Sequence, residues 1–591
     1  MSKSSYLENE SSSKSINATL HEKSQFARRY RLNRSYMASL KSENLLQNHF
    51  IEAGLRTWSH KPPDDIHWGW ESPECQLRGH FPGHWLAAAA RIYHQTGDME
   101  LKGKADYIVS RLAECQLENG GEWLGSIPTT YMDWISRGKK VWAPQYTLHK
   151  TWMGLVDMAR YAENDQALKL ADRWADWYCR WTDSFSREQL DDILDFETGG
   201  MLEVWADLLD LTGDKKYLSL IERFDRPRLF EPLLAGKDVL TNRHANTTIP
   251  EIHGAARVYE VTGNERYRNI VEHYWQQAVT ERGFFATGGQ TSNEIWTGKH
   301  QQSTRLSPYN QEHCVVYNMI RLADFLLRWS GDVKYADYIE RNIYNGLFAQ
   351  QHLKTGMVAY YLPLHGGAKI KWGTPTHDFW CCHGTLVQAS QLYAELAFYE
   401  TKQGLMVSQA IPASCQWQYK GSELSVSQMV KVDRRSVTNP DDDLVILDIK
   451  ADKAVECDIQ VRIPWWTTQA TVKINGQAYE HASGPSSWLT ICKQWQNDTI
   501  EITFRRKLTL CATDDRPDLA AYMYGPLVLA ALTDKEIRLA GGAVPDQVLR
   551  RFDDDYFDDV NYFTVGQAEN CQVVPLYTVL DHQYAVYFQI E

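Results

Sequence analysis

The chain has 591 residues, of which 43% are hydrophobic and 23% are charged, as is typical of a soluble globular protein. Asp and Glu number 75 against 62 Lys and Arg, so the formal net charge is −13. This acidic balance disfavours binding to a phosphate backbone, and we therefore expect no nucleic-acid partner.

The N-terminal segment contains no apolar core of a signal peptide. No run approaches the roughly 18 apolar residues that are needed to cross a bilayer. We therefore expect a cytoplasmic protein with no membrane partner. The eleven cysteines are an odd number and do not form the pattern of a disulfide framework. In a reducing compartment, clustered cysteines indicate metal binding or catalysis rather than disulfide bridges.

From about residue 80 to residue 400 the sequence predicts one amphipathic helix after another. Several of these helices end on the same signal, a Gly followed by Asp or Asn, and a related signal contains Asn164. Glycine suits the left-handed position that closes a helix, and Asp or Asn can cap the next helix. The glycines of this signal are Gly97, Gly213, Gly263 and Gly331.

These signals recur at intervals of about fifty to seventy residues, which is typical of helical hairpins packed around an axis. The alternative is an open helical solenoid. The repeats diverge in sequence and are separated by long irregular loops, so we favour a closed (α/α)6 toroid of about six hairpins.

After about residue 405 the sequence alternates apolar and polar residues and turns at Gly, Asn and Asp. This pattern predicts antiparallel strands and one or two β-sandwich modules. The predicted organisation is an N-terminal segment (1–44), partly flexible and packing on the barrel or the sandwich, a catalytic barrel (45–405) and a β-sandwich part (406–591).

Two adjacent cysteines, Cys381 and Cys382, lie in the stretch "DFWCCHGTL". Upstream, Glu312 and Cys314 are two residues apart, just before a strongly amphipathic helix. Three thiols and one carboxylate suit tetrahedral zinc. The spacing is not that of a zinc ribbon, so from these residues alone buried, unreactive cysteines remain the alternative.

A further acid, Glu294, follows a Gly-Gly turn in "TGGQTSNEIW" and lies near Trp296. A carboxylate beside aromatic surface is a candidate general acid, because burial against such surface raises its pKa. The alternative is a solvated loop glutamate.

Ten blocks, in order from about residue 20 to residue 530, resemble glycoside hydrolase family 127, whose type member is a β-L-arabinofuranosidase. Single blocks would be weak signals, but ten in the same order are specific. The blocks are "LRGHFPGHW", "YTLHK", "GGMLEVWADLLDLTGD", "HANTTIPEIHGAARVYEVTG", "TGGQTSNEIW", "EHCVVYNM", "YADYIERNIYNGLFAQQ", "FWCCHGT", "VRIPWW" and "YMYGPLVLAAL".

The resemblance implies an (α/α)6 barrel followed by β-sandwich modules, and a retaining hydrolase with one zinc ion per chain. By this match Glu312, Cys314, Cys381 and Cys382 hold the zinc. Cys381 is also the nucleophile, and Glu294 is the general acid/base. The implied substrate is a terminal β-L-arabinofuranoside on an oligosaccharide. A branched acidic deoxysugar of pectin is the alternative within the family.

Further residues are expected to bind the sugar, some by local matching to the family and others because histidines are dense on predicted loops and helix ends. The matched residues are His253, Tyr360, His149 and His80, and the added histidines are His244, His313 and His383.

Two rival functions come from other classes. A histidine-based sugar epimerase or lyase could use the same toroid without zinc. A carbohydrate-binding protein would hold sugar without hydrolysing it, but it would not need a complete set of ligands, nucleophile and acid. A homodimer stays open as an alternative to a monomer.

Overall fold

The computed structural model describes residues 13–56, 64–196, 199–432, 434, 439–552 and 560–591. Residues 1–12 of the predicted N-terminal segment lie outside the described residues. The α-helices are α1 (Gln25–Ser39), α2 (Ser42–Leu45), α3 (Gln47–Glu52), α4 (Phe81–Thr96), α5 (Met99–Glu118), α6 (Thr130–Ser136), α7 (Pro144–Tyr161), α8 (Asp165–Asp183), α9 (Arg187–Phe196), α10 (Met201–Thr212), α11 (Lys216–Phe224), α12 (Pro227–Leu234), α13 (Ile249–Thr262), α14 (Glu265–Trp275), α15 (His313–Ser330), α16 (Val333–Asn342), α17 (Cys381–Glu395) and α18 (Pro545–Val548).

The strands are short in the first part of the chain and long in the last third. They are β1 (Lys14–Ser15), β2 (Ala18–Leu20), β3 (Thr291–Ser292), β4 (Ile295–Trp296), β5 (Phe398–Thr401), β6 (Gly404–Val407), β7 (Ala413–Tyr419), β8 (Ser422–Val432), β9 (Asp442–Ile463), β10 (Ala470–Ile474), β11 (Gln477–Ala478), β12 (Ser487–Arg505), β13 (Leu508–Thr513), β14 (Arg516–Tyr524), β15 (Leu527–Leu532), β16 (Ile537–Leu539), β17 (Leu549–Phe552), β18 (Asn561–Thr564), β19 (Gln572–Pro575), β20 (Tyr584–Ala585) and β21 (Tyr587–Ile590). The prediction of a helical part followed by a β-rich part is confirmed.

The chain divides into two compact units. The described residues of the first unit belong to 32–280 and 373–391, and those of the second belong to 13–31, 281–372 and 392–591. The domain boundaries that we expect at residues 44 and 405 stay a prediction. Among the helices of the described residues, none is long and apolar enough to cross a membrane.

The first unit is built from helical hairpins in two layers. Helices α4, α7, α10 and α13 contact one another in that order, and α5, α8 and α11 form a second row. Helix α4 is buried from Phe81 to Ala90, so it belongs to the inner row. It crosses α7 at two glycines, Gly83 of α4 and Gly154 of α7. A Cβ on Gly83 would lie 1.9 Å from the carbonyl oxygen of Lys150, and a Cβ on Gly154 would lie 2.7 Å from the carbonyl oxygen of Gly83.

The predicted helix ends are confirmed. Gly97, Gly213, Gly263 and Gly331 all close a helix in the left-handed conformation, with φ between 66° and 71°. The residue that follows each of these four glycines, Asp or Asn, accepts a backbone N–H of the next helix, and Asn164 does the same for α8. These local signals therefore set where each hairpin turns.

The second unit contains two large sheets and one short hairpin. In the first sheet the order is β1-β5-β6-β9-β12-β10-β11, with β8, β7 and β2 following β9 on a side branch. In the second sheet the order is β16-β21-β14-β15-β19-β18-β17, with β13 on β14 and β20 on β15. The pairs β6–β9 and β16–β21 are parallel, and the other pairs are antiparallel.

A buried arginine ties helix α16 to strand β9 within the second unit. Arg462 is 3% exposed in its side chain and bonds Asp337 at 2.7 Å and Glu340 at 2.8 Å. Its Nε also donates to the carbonyl of Ser408 at 2.6 Å. Two buried carboxylates therefore share one buried cation, and each would be costly without it.

We expect Arg462→Ala to destabilise the protein by about 3–5 kcal/mol, because it leaves two buried carboxylates without their cation. The matched control is Arg505→Ala, whose own side chain is 59% exposed and whose partner Asp442 is partly exposed. The control should cost less than about 1 kcal/mol. Differential scanning calorimetry of both variants measures the difference, and equal melting temperatures would contradict the prediction.

Candidate metal centre and active site

Four side chains that could hold one metal ion lie together: Glu312, Cys314, Cys381 and Cys382. One ligand atom of each lies within 4.8 Å of the ligand atoms of the others. Three of these residues are buried, and Cys381 is partly exposed. The structure therefore brings the predicted ligand set together, with one partly exposed residue, Cys381, among three buried ones.

The spacing of the adjacent thiols fits a shared metal and excludes a disulfide bond. The Sγ atoms of Cys381 and Cys382 are 3.8 Å apart, and all eleven cysteines are free. A disulfide would need about 2.05 Å. Two sulfurs that each lie about 2.3 Å from a tetrahedral zinc ion would be about 3.8 Å apart. Thiolate sulfur and carboxylate oxygen are donors that zinc accepts, so these residues fit the ion.

The ligands stand at the beginnings of two helices. Cys381 and Cys382 are the first residues of α17, and Glu312 immediately precedes α15, which has Cys314 in its first turn. A helix N-terminus carries partial positive charge from its unpaired N–H groups. That charge favours ionised thiols and carboxylates, which are the forms that bind a metal.

The candidate acid, Glu294, lies on a two-residue hairpin turn between β3 and β4. Asn293 and Glu294 both have positive φ, 59° and 66°, which is the geometry of a type I′ turn. A left-handed conformation costs a residue with a side chain about 1–2 kcal/mol. The turn is held in place because the N–H of Asn293 donates to the carbonyl of Tyr309 at 2.8 Å.

Tyr360 joins this acid to the start of helix α15, where two of the candidate metal ligands lie. Its hydroxyl donates to Oε1 of Glu294, and its carbonyl accepts the N–H of His313 at 3.0 Å. A second group of possible ligands consists of His244, Glu294 and Glu312, whose ligand atoms also lie within 4.8 Å of one another. Glu312 belongs to both groups, so the candidate acid stands next to the candidate metal centre.

The loop before the cysteine pair is strained and firmly held within the first unit. Phe379 has φ of 45°, a conformation that side chains rarely adopt. Its carbonyl accepts Nε2–H of His80 at 2.8 Å, and its ring lies 4.4 Å from the ring of His67. The carbonyl of Asp378 accepts the N–H of Trp70 at 2.9 Å. These contacts fix the backbone that leads into Cys381.

A buried glutamate that the sequence analysis missed supports His80. Glu71 is 1% exposed and accepts the N–H groups of Gly79 at 2.8 Å and Phe81 at 2.9 Å. Its Oε1 lies 3.6 Å from Nε2 of His80. Burial raises the pKa of Glu71 to about 7, and the N–H donors only partly offset this. Burial lowers the pKa of His80 to about 3, so near pH 6 both groups are neutral.

The other residues expected to bind sugar lie on the inner helices and at helix starts. His149 in α7 and His253 in α13 are buried. His383 is buried in the first turn of α17, where its Nε2–H donates to the carbonyl of Thr374 at 3.0 Å and burial lowers its pKa to about 4. Nδ1 of His80 lies 3.2 Å from the hydroxyl of Tyr146. Their roles in sugar binding stay predictions.

Two family models match the chain. The first is described as the catalytic domain of the GH127 β-L-arabinofuranosidases and matches residues 19–395. The second is described as the GH127 middle domain of the same enzymes and matches residues 404–506. A search of curated proteins found no match.

Solved structures with the same fold share little sequence with the chain. A GH127 β-L-arabinofuranosidase from Geobacillus stearothermophilus T6 has a TM-score of 0.74 at 18% identity, over 97% of this chain and 100% of that chain. A GH127 β-arabinofuranosidase has a TM-score of 0.76 at 17% identity, over 99% of both chains. A further structure, described as a glycoside hydrolase, has a TM-score of 0.71 at 14% identity, over 99% of this chain and 98% of that chain.

The pKa of Glu71 makes a prediction about stability and pH. The ordinary value is 4.5 and the folded value is about 7. Between these values the folded protein holds a proton that the unfolded chain has released, so stability falls as pH rises. The loss should total about 3 kcal/mol. Glu71→Gln lacks this titration. As pH rises from 4.5 to 8, the free energy of unfolding of the wild type should therefore fall relative to that of the variant.

The measurement is the melting temperature of both proteins across this pH range. Glu74→Gln, a substitution of an exposed acid on the same segment, is the matched control. Parallel curves for the wild type and Glu71→Gln would show that the folded protein does not hold the extra proton.

Proposed function

The chain belongs to glycoside hydrolase family 127, and on that basis we propose that it is a retaining hydrolase that releases terminal β-L-arabinofuranose, using Cys381 as nucleophile and Glu294 as general acid/base. The family supports a carbohydrate substrate and hydrolysis of a glycosidic bond. The roles of the two residues follow from the resemblance of their sequence blocks to this family, and their surroundings support them.

The observation that carries the assignment is a difference in exposure among three thiols. Cys314 is 4% exposed and Cys382 is 0% exposed, whereas Cys381 is partly exposed. A nucleophile must reach the anomeric carbon of the substrate, and among the clustered cysteines Cys381 is the one that is not buried. The buried members of the set are suited to holding a metal.

Zinc bound by these four residues would keep the thiols ionised near neutral pH, where a free thiol is mostly protonated. The helix N-terminus at Cys381 acts in the same direction. The hydrogen bond from His80 to the carbonyl of Phe379 fixes the backbone before the nucleophile. Cys381 is therefore placed on a fixed backbone, as a nucleophile must be.

In the first step Sγ of Cys381 forms a bond to the anomeric carbon while the bond to the leaving oxygen breaks. Glu294 donates its proton to that oxygen. In the second step Glu294 takes a proton from water, whose oxygen attacks the anomeric carbon and releases Cys381. The hydroxyl of Tyr360 bonds Oε1 of Glu294 and so orients the carboxyl group for both transfers.

The family description favours β-L-arabinofuranose over the alternative pectic deoxysugar. The family description also favours hydrolysis over a histidine-based epimerase or lyase. The cluster of thiols beside an acid agrees with this, because those reactions do not require a thiol nucleophile. We further propose a reducing compartment such as the cytoplasm, in which eleven free cysteines would stay reduced. The oligomeric state, including a homodimer, stays open.

The metal centre is tested by removing a ligand. We expect about one zinc ion per chain in the wild type, and loss of both metal and activity in Cys382→Ala, because a buried ligand is removed. Cys492→Ala, which changes an exposed cysteine of β12, is the matched control and should keep both. Elemental analysis and hydrolysis of p-nitrophenyl β-L-arabinofuranoside are the measurements. A freshly reduced, folded wild-type protein that contains no metal would contradict the proposed metal centre.

The acid/base is tested through the leaving group. Glu294→Gln should slow hydrolysis of an alkyl arabinofuranoside by about 10²–10⁴-fold. The loss should be smaller for the p-nitrophenyl glycoside, whose leaving group needs less protonation. Glu281→Gln, at a surface acid that pairs with Lys299, is the control. Equal losses on both substrates would assign Glu294 a role other than proton donation.

A further inference from the structure

We propose that Tyr309 and Tyr361 form the subsite for the leaving group, and that the group they bind is a sugar ring. This inference rests on the proposed function, because it takes Glu294 as the acid. It adds the side of the site on which the rest of the glycoside lies and the kind of contact that holds it.

Tyr309 is fixed to the hairpin that carries Glu294. The carbonyl of Tyr309 accepts the N–H of Asn293 at 2.8 Å, and Asn310 pairs with Ser292 in an isolated β-bridge. The hydroxyls of Ser292 and Ser307 lie 3.0 Å apart. The loop that presents Tyr309 is therefore an extension of the hairpin, and its position relative to Glu294 is set by backbone contacts.

A row of rings leads from Tyr309 to the carboxyl group of Glu294. The ring of Tyr309 meets the ring of Tyr361 at 5.4 Å, with 68° between the planes. The ring of Tyr361 lies 4.6 Å from that of Tyr360. The hydroxyl of Tyr360 donates to Oε1 of Glu294. Three aromatic side chains and the candidate acid thus form one continuous surface, which we call the tyrosine row.

The outer end of the tyrosine row is open to a ligand. Tyr309 is 50% exposed, while Tyr360 and Tyr361 are partly buried behind it. An aromatic ring that is half in water and held from one side offers its remaining surface for stacking. The C–H groups on one side of a sugar ring form an apolar surface that matches such a ring.

The chemistry of the first step decides whether the tyrosine row contacts the arabinose or its leaving group. The acid protonates the oxygen that joins the arabinose to its leaving group, so the leaving group must lie beside Glu294. The nucleophile approaches the anomeric carbon from the opposite side. A surface continuous with Glu294 therefore contacts the leaving group rather than the arabinose.

The test compares two substrates that share arabinose and differ in the leaving group: a β-L-arabinofuranosyl disaccharide and methyl β-L-arabinofuranoside. Tyr309→Ala should lower the ratio of their kcat/KM values, disaccharide over methyl glycoside, by about fivefold. Tyr309→Phe keeps the ring and should keep the ratio. Tyr107→Ala, at a tyrosine of α5 that is 42% exposed, is the matched control and should leave the ratio unchanged.

An unchanged ratio in Tyr309→Ala would overturn the inference while the proposed function stands. A fall in Tyr309→Phe as large as in Tyr309→Ala would also overturn it, because the contact would then depend on the hydroxyl rather than on the ring. A wild type that hydrolyses neither arabinofuranoside would remove the proposed function and this inference with it.

Discussion

Three thiols and a carboxylate gathered within 4.8 Å, mostly out of water, are the constraint around which the site is organised. Ionised together they would repel one another strongly, so they need either protons or a cation. The surrounding structure favours the ionised state, since all three cysteines and the glutamate stand at the N-termini of α15 and α17. The proposed divalent ion would offset this repulsion by using all four donors at once.

The same structure stores strain at the positions that aim the chemistry. Glu294 and Phe379 both take left-handed backbone conformations that favour glycine. Each is held by a hydrogen-bonded partner, Tyr360 for the first and His80 for the second. Strained residues persist only where neighbours over-determine them, and here they stand at the proposed acid and beside the proposed nucleophile.

The features that the sequence predicts well are local ones. The helix ends at Gly97 and Gly331 follow from a left-handed glycine and a capping residue that are neighbours in the chain. The turn at Glu294 and the support from Glu71 were not predictable in this way. The pair Asn-Glu is a poor signal for a type I′ turn, because glycine is preferred at the second central position of such a turn. Glu71 gains its role from burial and from backbone donors, and no spacing in the sequence marks either.

The glycine crossing of α4 and α7 limits how the enzyme can diversify. Because a single added carbon at Gly83 would overlap the backbone of α7, the distance between these inner helices is set by main chain rather than by side chains. Side-chain exchange cannot widen or narrow the barrel wall at this level. Adaptation to new glycosides is thereby directed to the loops, where, by the inference above, a change at Tyr309 would alter recognition without disturbing the wall.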